Sequence, residues 1–127
     1  MSKEELMVSL VVPTNGVIEW VFPVLDSIYQ DEPEHSRFEV IVTDNGDNEE
    51  FQRQMESYCA RYDNLIYRKT QAKQFLNQVE AFKLASGRLI KFVNHRMKLL
   101  PGTVEELIRF AASVSYTHLT LPTNSLV

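Results

Sequence analysis

Four places in the sequence set polar or charged side chains directly after an apolar run: Pro13-Thr14-Asn15, Asp44-Asn45, Arg68-Lys69 and Asn94-His95-Arg96. Together they supply hydroxyl, amide, carboxylate, imidazole and cationic groups. In open α/β sheets a ligand sits outside the carboxyl ends of the strands, so the residues in which strands end are the ones to weigh. Short polar side chains after a buried strand are also ordinary turn formers, and Asn15 or Asn45 taken alone reads that way. Four polar strand ends together favour a site.

The elements that must position these groups follow from periodicity. Residues 7–14 form a near-continuous apolar run, as expected of a strand buried on both faces. Ile18, Val21, Phe22, Leu25, Ile28 and Tyr29 then recur at helical spacing, with a helix start expected between Trp20 and Pro23 because proline suits a first turn. A second, β-branched strand is expected over residues 38–43, closed by the turn chemistry of Asp44-Asn45-Gly46-Asp47-Asn48. Phe51, Met55, Tyr58, Cys59 and Tyr62 mark a second helix, and residues 64–67 a third, shorter strand. Phe75, Val79, Phe82 and Ser86 set the stripe of a third helix, with Gly87 in the C-cap position. A fourth strand is expected over residues 89–93. After the Pro101-Gly102 break, Thr103 and Glu106 have capping-box spacing ahead of Val104, Leu107, Ile108 and Ala111. Strand and helix alternate four times, which implies an open, mainly parallel α/β sheet with helices on both faces.

Composition bounds the function. The chain has 127 residues, 13 basic against 17 acidic side chains and a net charge of −4, which fits one domain and gives no broad electrostatic footprint for nucleic acid or an anionic membrane. A phosphorylated ligand would need a local grip. Cys59 is the only cysteine, so an intrachain disulfide and a multi-cysteine metal site are excluded. No apolar run approaches the roughly 20 residues of a membrane span, and the amino terminus lacks the pattern of a secretory signal, so a cytoplasmic location is expected, with peripheral membrane association of the intact protein left open. The four glycines form no G-x-G-x-x-G or G-x-x-x-x-G-K motif, which argues against a dinucleotide dehydrogenase or a P-loop enzyme. A receiver domain would need an acidic pair where this chain has Pro13-Thr14-Asn15.

The run Val8-Ser9-Leu10-Val11-Val12-Pro13-Thr14-Asn15, then Asp26-Ser27-Ile28-Tyr29-Gln30, then Phe38-Glu39-Val40-Ile41-Val42-Thr43-Asp44-Asn45-Gly46 resembles the opening of the family 2 glycosyltransferases of the GT-A fold. The likeness continues through Asn77 and Ala85-Ser86-Gly87-Arg88-Leu89-Ile90-Lys91-Phe92 to Leu100-Pro101-Gly102, in order and with similar spacing. The resemblance implies a nucleotide-sugar site in which Pro13, Thr14, Asn15 and Asp44 hold the base and ribose and Asn77 lies near the nucleotide. A carboxylate at Asp44 suits an imide N–H or ribose hydroxyls. Its alternative role is a turn-closing Asx residue, and that of Asn77 is an exposed helix-start residue.

The fourth strand end departs from the family. There the family carries a D-x-D element whose carboxylates hold a divalent cation on the sugar diphosphate. Here Val93-Asn94-His95-Arg96-Met97-Lys98 offers no carboxylate, and the single imidazole of His95 makes a poor site for a softer metal. His95, Arg96 and Lys98 are expected instead to form a metal-independent diphosphate clamp, since a guanidinium grips phosphates bidentately. A decayed metal site in a non-catalytic nucleotide-binding or interaction domain is the alternative.

The resemblance thus implies an intact enzyme that moves a sugar from a nucleotide sugar, a UDP-sugar foremost, to a saccharide or other hydroxyl acceptor in polysaccharide assembly. The general base that transfer requires lies in the family downstream of residue 112, so the 127-residue chain is expected to be inactive in transfer. Val114-Ser115-Tyr116-Thr117-His118-Leu119-Thr120-Leu121-Pro122-Thr123-Asn124 resembles translated read-through of a sequencing-library adaptor. Residues 1–113 are accordingly expected to be the nucleotide-binding half of a GT-A domain, incomplete, and 114–127 a non-native tail.

Overall fold

In the computed structural model, residues 6–71 and 75–113 are described; the expected tail at 114–127 lies outside them, as does the Phe75 side chain. The apolar runs become parallel strands: β1 Val8–Thr14, β2 Phe38–Asp44, β3 Leu65–Lys69 and β4 Leu89–Phe92. They are joined by helices α1 Ile18–Tyr29, α2 Glu49–Arg61 and α3 Phe75–Leu84, and α4 Thr103–Ser113 follows β4. The sheet order is β3-β2-β1-β4, so β2 and β3 lie to one side of β1 and β4 to the other. That reversal makes the carboxyl ends of β1 and β4 the place where an open sheet leaves a crevice.

Both faces are covered. Val8, Leu10 and Val12 of β1 pack with Val40 and Val42 against Val21, Leu25, Phe51, Met55, Val104 and Ala111 from α1, α2 and α4. Val11 and Ile41 point the other way, onto Ala81 and Ala85. Burial on both faces explains the absence of polar alternation in these strands, and each fully buried Val, Leu or Ile contributes roughly 1.5–3 kcal/mol. Among the described residues no helix is long and apolar enough to cross a membrane.

Four local expectations are corrected. First, α1 begins at Ile18, ahead of the expected Trp20–Pro23 start, with Pro23 inside the helix. Pro23 is exposed, so the carbonyl left without its N–H partner can be hydrated. Second, α3 does not seat Val79 and Phe82 on the sheet: both are about 40% exposed, at 39% and 40%, while Asn77 and Ala81 are buried. Small residues let the helix approach closely, and a buried asparagine makes the packed face read as polar. Third, Gly87 is not a left-handed C-cap. The helix ends at Leu84, and only Gly16 and Gly102 among the glycines have positive φ. Gly87 is needed for close approach, since a Cβ there would lie 2.7 Å from both Ser9 N and Val8 C. Its N–H donates to Ser9 Oγ at 2.7 Å, and the Glu39 carboxylate accepts from Ser9 Oγ at 2.6 Å and Ser86 N at 2.7 Å, latching this turn to the sheet.

Fourth, the Thr103–Glu106 capping box does not form. The Thr103 hydroxyl donates to Leu100 O at 2.7 Å, and Glu106 N donates to Gly102 O at 3.1 Å. Asp31 supplies the acceptor instead, taking the Gly102 N–H at 2.7 Å. Its carboxylate also suits the positive end of the α4 dipole.

Candidate functional site

Register sets the geometry of the crevice. Thr14 pairs level with Asp44, whereas β4 ends at Phe92 opposite Val11, so the chain after β4 turns beneath the longer β1. Residues 94–96 thereby arrive beside Thr14. The result is a cleft of about 590 Å³ walled by the β1 end (Pro13, Thr14, Asn15), Asn45, Asn77 and Gln78, Trp20, and the β4 end (Phe92, Asn94, His95, Arg96).

Thr14, only 4% exposed, is part of the wall. Its Oγ1 accepts the Gly16 N–H at 3.0 Å and lies 2.7 Å from His95 Nδ1. The His95 ring meets the Trp20 indole edge-on at 5.2 Å between centroids, and the Arg96 guanidinium lies over that indole at 4.3 Å. Asn94 Oδ1 accepts the Arg96 N–H at 2.9 Å, which shapes the loop. Burial, and secondarily the Arg96 charge, hold the His95 pKa below its ordinary value, which favours the neutral imidazole.

Asn77 reaches across from α3 to staple the two central strands. Its Nδ2 donates to Thr14 O at 3.1 Å and Thr43 O at 3.0 Å, and its buried Oδ1 has no partner among the described residues. Asp44 is placed differently. It is fully buried and absent from the cleft wall; Oδ1 accepts the Gly46 N–H at 2.8 Å, Oδ2 accepts the Tyr67 hydroxyl at 2.5 Å, and Lys69 Nζ lies 3.7 Å away. Burial, then the bond to Asp44, raises the Tyr67 pKa, which keeps that phenol a donor. The Asp44 carboxylate thus holds the loop behind the cleft, the Asx geometry weighed as its alternative role.

Of the residues singled out from sequence, the structure gathers Pro13, Thr14, Asn15, Asn77, His95 and Arg96 around one cleft. Asp44 and the exposed Lys98 are not on its wall. Trp20 was missed as a site residue, although a lone tryptophan at the amino end of the helix following β1 was a readable signal. The cleft wall contains no aspartate or glutamate, and no group of three or more His, Cys, Asp or Glu able to hold a metal occurs among the described residues. A wall of neutral amides, one imidazole and a guanidinium does not fit a hard dication.

This arrangement defines a doubly wound α/β domain with a cleft at a topological switch point. The chain belongs to the family 2 glycosyltransferases: the model of glycosyl transferase family 2 matches residues 9–118. No curated protein matches the chain. Among solved structures it is similar to S. aureus TarS residues 1–349, at 20% identity and a TM-score of 0.72 over 83% of this chain and 32% of that one. The complex of TarS 1–349 with UDP gives 21% identity and a TM-score of 0.73 over 83% and 32%, and that with UDP-GlcNAc gives 20% and 0.71 over 83% and 31%. The likeness establishes the shared GT-A fold, and the chain spans about a third of the length of these structures.

Proposed function

We infer that the chain is the nucleotide-sugar-binding portion of a glycosyltransferase that moves a sugar from a UDP-sugar to a saccharide or other hydroxyl acceptor. The observation that carries this reading is the switch-point cleft, which brings Thr14, Asn15, Asn77, His95 and Arg96 together at the carboxyl ends of β1 and β4. Solved complexes of TarS, a structural relative, with UDP and with UDP-GlcNAc support the choice of ligand. In this reading Pro13, Thr14, Asn15 and Asn77 flank the base and ribose. Asp44 acts from behind by fixing the loop through Gly46 and Tyr67.

The diphosphate is held by His95 and Arg96, with Lys98 adding only distant positive charge. Arg96 now rests on Trp20, a cation–π contact worth about 0.5–1 kcal/mol at an exposed site. Charge-assisted bonds to a phosphate are worth about 1.5–3 kcal/mol, so an arriving diphosphate draws the guanidinium off the indole. The acceptor site and general base belong to the intact protein, and the 127-residue chain forms no glycosylated product from a UDP-sugar.

Trp20 is the sole tryptophan, so its emission reports on the cleft directly. Titration with UDP is expected to give a saturable change in intensity, and uridine, which lacks the diphosphate, a change only at concentrations about ten-fold higher or more. Unchanged emission at millimolar UDP would remove the nucleotide-binding reading.

A further inference from the structure

We propose that Thr14 is a positioning residue that fixes the His95 imidazole as its Nε2–H tautomer, making it a neutral hydrogen-bond donor to the diphosphate of the nucleotide. This rests on the reading of the cleft as a nucleotide-sugar site, and it goes beyond that reading by assigning the proton.

Thr14 is buried, so its hydroxyl proton needs a protein acceptor. Oγ1 already accepts from Gly16 N, and the acceptor at hand is His95 Nδ1, 2.7 Å away. The Thr14 carbonyl is engaged separately, by Asn77 Nδ2 at 3.1 Å and Asn45 N at 3.1 Å. With the hydroxyl donating into Nδ1, a neutral ring carries its proton on Nε2.

Two effects favour the neutral ring: it is half-buried against the cleft wall, and the fixed Arg96 charge one residue away opposes a second cation. His95 and Arg96 then divide the work that a metal would otherwise do. Arg96 supplies the positive charge, and His95 supplies a directed N–H whose orientation is set before the ligand arrives. No proton is transferred in this role, so binding leaves the tautomer unchanged.

The test is long-range 1H–15N correlation spectroscopy of the 127-residue chain labelled at its histidine rings, with His95→Asn assigning the His95 signals against His35 and His118. At pH 7.5 without ligand, the expected pattern is that of an Nε2–H tautomer with Nδ1 as acceptor. Thr14→Val is expected to convert it to a tautomer mixture and to weaken UDP about five-fold, the worth of one neutral hydrogen bond, while Thr14→Ser, which keeps the hydroxyl, restores the Nε2–H pattern. UDP added to the wild-type chain should shift the His95 Nε2 resonance. An Nδ1–H tautomer in the ligand-free wild type overturns the proposal whatever UDP does. UDP shifts elsewhere in the cleft with an unmoved His95 Nε2 overturn it as well. A protein that shows the Nε2–H pattern but no response to UDP anywhere overturns the nucleotide-binding reading, and the donor role with it.

Discussion

Gly46→Ala is expected to lower the urea midpoint of unfolding by about 1–3 M, the equivalent of roughly 3 kcal/mol for a chain of this size. Gly46 has no left-handed backbone to explain it; the constraint is space. A Cβ there would stand 2.0 Å from Asn15 O and 2.7 Å from Asn15 C, both backbone atoms, with Asp44 Oδ1 at 3.3 Å behind it. No rotamer change relieves a clash with backbone, so the loop after β2 or the end of β1 must move. Movement of the loop breaks the Gly46 N–H bond to Asp44 Oδ1, and movement of the β1 end displaces Asn15 from the cleft wall. The folded fraction of Gly46→Ala should therefore also bind UDP more weakly. Gly87→Ala is the matched control, because its Cβ would strike Ser9 and Val8 at the far end of β1. It should destabilise the chain comparably while its folded fraction keeps the cleft. Equal midpoints for Gly46→Ala and wild type in urea denaturation would refute the close approach of the two loops.

The second large effect concerns affinity. Arg96→Ala is expected to weaken UDP binding about 10- to 100-fold, the loss of a charge-assisted and bidentate contact worth roughly 1.5–3 kcal/mol. Lys98→Ala should change it by no more than about two-fold, since Lys98 is exposed and off the cleft wall, where a charge is screened. Arg96→Lys should recover only part of the loss, because an ammonium keeps the charge but not the planar fork. Fluorescence titration of the three variants ranks them, with Trp20 as the common reporter. Equal losses from Arg96→Ala and Lys98→Ala would point to general electrostatics in place of a directed grip.

Much of this architecture is readable in the sequence because its causes are local. Strands buried on both faces show as continuous apolar runs, and polar residues at their ends mark one side of the sheet before any coordinates are known. The order β3-β2-β1-β4 depends on long-range pairing, which leaves no local trace. The packed face of α3 was misread for a similar reason: Asn77 is buried to serve the Thr14 and Thr43 carbonyls, a demand invisible until those strands are adjacent. Gly87 shows the same limit, since a glycine kept for close approach looks like a helix terminator from sequence alone. At the site, residue type pointed to Thr14, His95 and Arg96 separately. Their mutual contacts through Nδ1 and the Trp20 ring span more than 70 residues of chain and needed the fold. Asp44 illustrates the reverse case, in which a correct strand end carries a side chain turned away from the cleft toward Gly46 and Tyr67.

The central claim is that this cleft holds a nucleoside diphosphate through protein cations and donors, with no carboxylate-bound metal. Calorimetric titration of UDP into the 127-residue chain, once with Mn²⁺ and once with EDTA, tests it most directly. The account predicts dissociation constants that agree within about two-fold in the two conditions. Binding that appears only with Mn²⁺, or no binding in either condition, would contradict it.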